Sequence, residues 1–328
     1  MQVLVIGGSG FIGTRLISVL VAERGHSVVN LDLEPSSAHP GLTILGDIRS
    51  PSDMVSACRG RDVVVNLAAV HRDDVRPLSL YHETNVEGAR VLTEAMTAAG
   101  VTRLVFTSSV AVYGLDVNHP DESTEPNPFN AYGRTKLAAE GVYRSWAAAQ
   151  DDRSLTVVRP CVVFGESNRG NVHTLAHQIQ RRRFLLVGDG ANRKSMAYVG
   201  NIVELLADRV ESADRVDSAT RVETINYADK PDMTTKELVA VLALALTGKP
   251  PSRARVPVWL VAAGGRFLDL AARVTGRTLS ISSVRIQKFF ASTTVDTTLL
   301  ESTGFRPRYT LQEGLARTIA ADFPTGHR

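Results

Sequence analysis

The first half of this 328-residue chain predicts an α/β fold built on a doubly wound parallel sheet. Two observations lead there. Short apolar runs at residues 3–6, 28–31, 42–45, 63–67, 104–106 and 155–158 mostly alternate with helical stretches, such as 12–22, 78–99 and 132–149. Continuous apolar strands separated by helices belong to a parallel sheet covered on both faces, and right-handed crossovers wind it both ways. The second observation is the turn Gly7-Gly8-Ser9-Gly10-Phe11-Ile12-Gly13 between the first strand and the first helix, the setting of a Rossmann nucleotide-binding turn.

Composition agrees with an ordinary globular protein. Apolar content is 44% and charged content 22%, and the net charge of +3 is spread along the sequence. Its one dense cluster, Arg181-Arg182-Arg183, reads as a solvated helix end. No zinc spacing, aromatic–basic interleaving or long basic stripe points to a metal or to nucleic acid. Two lone cysteines, Cys58 and Cys161, suggest a reducing compartment without a disulfide framework. The N-terminus enters a strand at once, and the longest apolar stretches, 238–246 and 256–265, fall short of the ~20 residues that span a bilayer. A cytoplasmic protein with no membrane partner is the expectation.

Each element of the first half then has a reason. In the glycine turn, Gly7 permits the tight bend, Gly10 lets backbone approach a pyrophosphate, and Gly13 lets helix and strand pack closely. The helix that starts with Phe11 and Ile12 offers its free N–H groups to the same anion. Strand two ends in Asp32, 19 residues past Gly13, where a carboxylate can accept from both ribose hydroxyls. It repels a 2′-phosphate, so NAD is expected over NADP. Strand three leads to Gly46-Asp47-Ile48, where Asp47 can meet an adenine amino group or simply close a turn. The fifth run ends in Thr107-Ser108-Ser109-Val110-Ala111-Val112-Tyr113-Gly114, hydroxyls with no acid beside them. Tyr132 and Lys136 share one face of the next helix, one turn apart. A free tyrosine is a poor base at neutral pH, but a nearby cation lowers its pKa by about 1–3 units. The phenol can then take a proton from an alcohol while Ser109 hydrogen-bonds the same oxygen.

After Arg159-Pro160 the rhythm breaks. Residues 165–195 are rich in Gly, Asn and Arg; a strand-like run at 223–227 follows, then helices at 235–247 and 258–275 and a last one at 311–321. The division this suggests is a dinucleotide-binding domain from 1–160 plus about 195–228, and a smaller, discontinuous substrate domain from 161–194 and 229–328.

The glycine turn, Asp32, Ser109, Tyr132 and Lys136, in that order, resemble the extended short-chain dehydrogenase/reductases, in the NAD-dependent epimerase/dehydratase family. GDI (46–48), NLAAV (66–70), TNVEGA (84–89), YGRTK (132–136), RPCVVFG (159–165) and GFRPRYTLQEGL (304–315) extend the resemblance over nearly the whole chain. It implies that Asn66, Leu67, Ala68 and Ala69, with Ile48 and Ser108, line the dinucleotide. It also implies that Asn85 braces the catalytic region and that Pro160 lies near the nicotinamide; a role in shaping backbone is equally open for Asn85 and Pro160. Relatives form dimers through the helices at 78–99 and 132–149, so a homodimer is the expectation.

The resemblance also narrows the reaction. Dehydratases carry Asp-Glu after the catalytic hydroxyl, decarboxylating relatives a Glu, and the epimerase-reductases of the fucose route a Cys. Val110 and Ala111 stand there instead and move no proton. What remains is 4-epimerisation through a ketone, or simple keto-reduction or alcohol oxidation, of a nucleotide sugar such as a UDP-hexose or UDP-N-acetylhexosamine. Asn168, Arg169, Asn171, Arg193 and Lys194 are the candidates for its diphosphate, with surface solvation the competing reading for the cations. Lys194, Ser195 and Tyr198 stand where relatives carry Arg, Asp and His. A 3β-hydroxysteroid-dehydrogenase-like oxidoreductase and an NAD(H)-sensing regulator are the alternatives.

Overall fold

The computed structural model describes residues 1–72, 75–115, 117–212, 221–251, 255–257 and 292–324. Seven parallel strands form the central sheet: β1 (Gln2–Ile6), β2 (Ser27–Asp32), β3 (Thr43–Leu45), β4 (Val63–Asn66), β5 (Arg103–Thr107), β6 (Ser154–Pro160) and β10 (Val222–Tyr227). Their order is β10-β6-β5-β4-β1-β2-β3. All six expected strands are present, within two residues at each end, and the run at 223–227 completes the edge beside β6. The β1–β4 residues Val3, Leu4, Val5, Val63, Val64 and Val65 have no accessible surface, which is why these runs are apolar without alternation.

Helices α1 (Phe11–Ser18), α2 (Pro51–Cys58), α3 (Ser79–His82), α4 (Gly88–Ala99) and α5 (Ala131–Ala148) connect these strands. The stretch expected as one helix over 78–99 is interrupted by a π-helical turn, Glu83–Glu87, between α3 and α4. A similar turn, Val19–Glu23, ends the first helix. Gly100 in the left-handed region closes α4, with φ 71°.

Beyond β6 the chain builds smaller sheets from β7 (Val162–Phe164), β8 (Leu186–Val187), β9 (Arg193–Tyr198), β11 (Asp229–Thr234) and β12 (Arg255–Val256). Their orders are β11-β9-β7 and β12-β8. The helices here are α6 (Asn171–Gln180), α7 (Val199–Ser212), α8 (Thr235–Thr247), α9 (Thr298–Ser302) and α10 (Leu311–Asp322). Reciprocal Thr–Glu capping boxes, Thr234 with Glu237 and Thr310 with Glu313, start α8 and α10. One apolar cluster runs from Val3, Val5 and Val65 through Ile202 and Leu206 of α7 to Leu242 of α8 and Leu315 of α10. The helix expected over 258–275 lies outside the described residues. No helix among the described residues is long and apolar enough to cross a membrane.

Candidate active site

Strand order reverses between β1 and β4, and the crevice at their carboxyl ends is where an open parallel sheet takes its ligand. The glycine turn follows β1 and residues Leu67, Ala68 and Ala69 follow β4, and the two meet. Gly7 has φ 81°, and a Cβ on it would stand 2.7 Å from the Ala68 nitrogen. A Cβ on Gly13 would stand 2.4 Å from the Gly8 Cα. Gly10 caps α1 and makes no side-chain cap hydrogen bond, so the first-turn N–H groups and their partial positive charge remain available to an anion. The Asp32 carboxylate, at the end of β2, accepts from the backbone N–H of Ser9 at 2.9 Å and of Glu34 at 3.1 Å. A cradle that a methyl group would fill, an open helix N-terminus and a carboxylate held beside the turn fit a dinucleotide with an unphosphorylated ribose.

Asn30 completes this cradle and is invisible to motif reading. It is fully buried in β2; its Oδ1 accepts from Gly8 N–H at 2.9 Å, and its Nδ2 donates to Ser9 Oγ and Thr43 Oγ1. A polar residue inside an apolar strand run was the available signal. Asp47 is engaged within its own turn: Arg49 Nε and Nη2 donate to its carboxylate at 2.6–3.0 Å, and this bonding holds its pKa below the ordinary value. Ile48 is buried against Gly88 of α4.

The hydroxyl side is built on β5 and α5. Ser109 Oγ accepts from Ala111 N–H at 3.2 Å, and the side chain acts on the Tyr132 phenol in the direction that favours phenolate. Asn130 caps α5, its Oδ1 accepting from Gly133 N–H, so the helix starts one residue before Tyr132. A Cβ on Gly133 would stand 2.5 Å from the Ala111 oxygen, so a side chain there would push α5 off the Ser109 turn. Asn85 sits in the π-helical turn; its Nδ2 donates to Thr135 Oγ1 and Val70 O, and its Oδ1 accepts from Val70 N–H. It therefore ties the segment after β4 to the turn between Tyr132 and Lys136.

The pKa directions depart from the expectation. Burial raises the Tyr132 phenol to about 12, with the Ser109 hydrogen bond opposing. Burial also lowers Lys136 to about 7, with Glu140 opposing. Lys136 is 2% exposed, and its Nζ lies 4.5 Å from the centre of the Phe106 ring. Desolvation thus disfavours both charged forms and outweighs the attraction that the helical spacing suggested.

Beneath this pair runs a buried chain of polar groups. Ser108 Oγ donates to Glu140 at 2.5 Å, and Arg159 Nε and Nη2 donate to the same carboxylate at 3.0 and 2.6 Å. Arg159 Nη1 donates to Tyr113 Oη, which donates to Asn226 of β10, both at 2.8 Å. The Ser108 hydroxyl is therefore bonded to Glu140. Pro160 ends β6 directly after Arg159 and is buried.

The substrate candidates are scattered over the smaller lobe. Asn168 shapes its own loop, Nδ2 donating to Val163 O and Oδ1 accepting from Gly170 N–H. Arg169 meets His173, and Asn171 opens α6. Arg193 and Lys194 begin β9, where Arg193 Nη1 donates to Asp232 O at 3.0 Å. Ser195 Oγ donates to Asp232, and Tyr198 Oη to Glu166, so neither is free to act as an acid.

The family model described as NAD dependent epimerase/dehydratase family matches residues 3–223. The N-acetyl-alpha-D-glucosaminyl-diphospho-ditrans,octacis-undecaprenol 4-epimerase of Escherichia coli O157:H7 is 46% identical over 323 residues, covering 98% of this chain and 95% of the relative. The UDP-glucose 4-epimerase of Vibrio cholerae is 30% identical over 342 residues, covering 100% and 97%. Among solved structures, MoeE5 in complex with UDP-glucose and NAD superposes with a TM-score of 0.75 at 28% identity, covering 98% of both chains. With the glycine cradle, Asp32 and the parallel seven-strand sheet, these matches make the chain a member of the NAD dependent epimerase/dehydratase family, an enzyme with NAD as its cofactor.

Proposed function

We propose that the protein is a 4-epimerase of a hexose carried on a diphosphate, with N-acetylglucosamine linked to a polyprenol as the substrate class. The observation that carries the reading is the 46% identity, over 98% of the chain, to an enzyme of that activity. A nucleotide-diphosphate sugar, the expectation from sequence, shares the same sugar–diphosphate linkage; the Vibrio cholerae relative and MoeE5 support it as the second reading.

The catalytic residues are Ser109, Tyr132 and Lys136. NAD held in this cradle would accept the hydride from carbon 4 and would add positive charge to the site. Ser109 Oγ hydrogen-bonds the sugar O4 and holds it toward Tyr132. Tyr132 takes the O4 proton as the carbon–hydrogen bond at C4 breaks, and returns it to the 4-ketone's oxygen when hydrogen is restored on the other face. Lys136, one helical turn on, is the cation assigned to the phenolate. Val110 and Ala111 carry no ionisable group, so no residue there removes a proton from C5 or protonates a leaving hydroxyl. The dinucleotide is held by Gly7, Gly10, Phe11, Ile12, Gly13 and Asp32, with Leu67, Ala68 and Ala69 across the crevice. The reading includes a cytoplasmic homodimer.

The test is incubation with polyprenyl-diphospho-N-acetylglucosamine and with UDP-N-acetylglucosamine in deuterated water, followed by sugar analysis. The expected product is the 4-epimer of the polyprenyl substrate without deuterium on carbon. Tyr132→Phe, compared in single turnovers with cofactor pre-bound, is expected to lose about 10²–10⁴-fold. Deuterium on the ring carbons, or no epimer from the polyprenyl substrate, would overturn the reading.

A further inference from the structure

We propose that the lobe formed by α6, β8 and β12 carries a docking surface for an anionic lipid bilayer, centred on Arg181, Arg182, Arg183, Leu185 and Arg255. The proposal rests on the polyprenyl reading above, since a polyprenol-linked sugar resides in a membrane.

Charge distribution is the first observation. Residues 167–188 contain four arginines and no acid, in a chain whose total net charge is only +3. The described residues of 235–257 add Lys236, Lys249 and Arg255 against one acid, and that acid, Glu237, is tied into the capping box of α8. The basic charge is therefore concentrated on this lobe.

Exposure is the second. Arg181, Arg182 and Arg183 follow the last turn of α6, all exposed, and none forms an ion pair among the described residues. Two residues on, Leu185 keeps 49% of its surface in solvent. Parallel pairing sets Arg255, also exposed, beside Leu186, the neighbour of Leu185. Asp189, two residues past β8, is the nearest acid in sequence; its Oδ1 accepts from Ala191 N–H. An exposed leucine close in sequence to three exposed arginines, with no ion pair to them among the described residues, suits a bilayer: the guanidinium groups meet lipid phosphates and the leucine enters the interface. Nucleic acid would use the cations and leave the leucine idle.

Location is the third. The patch lies in sequence between the two groups of diphosphate candidates, Asn168 to Asn171 and Arg193 to Lys194.

The full-length protein is to be sedimented with phosphatidylglycerol-containing vesicles and with pure phosphatidylcholine vesicles, at low and high salt, with no sugar substrate present. Binding is expected to the anionic vesicles alone and to fall with salt. R181Q/R182Q/R183Q is expected to weaken it about a hundredfold, at roughly fivefold per arginine. Leu185→Asn is expected to weaken it several-fold without altering the salt dependence. NAD binding serves as the control that the variants are folded. Failure of the unmutated protein to bind anionic vesicles, or wild-type binding by the triple variant, would overturn the proposal. So would release by short duplex DNA together with no effect of Leu185→Asn, which would mark a general polyanion surface. Turnover of a water-soluble short-prenyl substrate, measured separately, reports on the epimerase reading, so the two can fail independently.

Discussion

Tyr132 and Lys136 show how one cause moves an acid and a base in opposite directions. Burial raises the phenol to about 12 and lowers the ammonium to about 7. For Lys136 the linkage has a definite sign. Between about pH 7 and the ordinary lysine value of 10.5, the unfolded chain binds a proton that the folded chain does not. Stability contributed at this site is therefore lowest below pH 7 and rises through that window. Lys136→Met removes the burial penalty while keeping the stem. The variant is expected to be more stable than the unmutated protein by a few kcal/mol at pH 6, with the gain shrinking toward pH 10, and to lose epimerisation. Urea denaturation at both pH values checks this; an equal gain at both would show that the ammonium carries no burial cost. Most of these residues are legible in sequence: Asp32 by its distance from the glycine turn, and Ser109, Tyr132 and Lys136 by type and spacing. The pKa directions are not, because they depend on how closely neighbours such as Phe106 pack, and no spacing rule contains that.

α5 carries a second function four residues past Lys136. Glu140 receives Ser108, directly after β5, and Arg159 from β6, so it fastens the helix to the ends of two strands at the site's floor. Removing one partner of a buried ion pair costs about 3–5 kcal/mol, whereas replacing both with apolar groups of similar size is often neutral. Glu140→Gln is expected to destabilise by that order, and Glu140→Leu/Arg159→Met to recover much of it in urea denaturation. Additive losses in the double variant would mean that the two residues act separately. In sequence, Glu140 looks like one more polar position on an amphipathic helix, and its partners lie 32 and 19 residues away in the chain. Asn30 escapes notice for the same reason: its partner, Gly8, is fixed by the pairing of β1 with β2 and by no local pattern.

At the scale of the molecule, the alternation of apolar runs and helices was sufficient for the sheet, since burial on both faces leaves little room for polar residues in β1 and β4. The smaller sheets were less legible. β8 and β12 have two residues each, and β11 is interrupted by a register shift, so none shows a periodic signal. The π-helical turn at Glu83–Glu87 was also hidden, because its composition is that of an ordinary helix.

The position of β10 has a consequence in time. β6 pairs with it over six registers, from Leu155–Val222 to Pro160–Tyr227, yet β10 is made long after β6. At about 5–20 residues per second, synthesis of the intervening stretch takes roughly 3–13 s. Throughout that interval the nascent β6 presents an open, apolar edge, the form in which strands pair with the wrong chain. A chain ending at Ser212 is frozen in that state. It is expected to aggregate on release from the ribosome, whereas a chain ending at Asp322 stays dispersed; sedimentation of products translated in a chaperone-free system checks this. Soluble, monomeric chains ending at Ser212 would show that something other than β10 guards the edge. Expression of this enzyme is thus expected to be a race between elongation and collision.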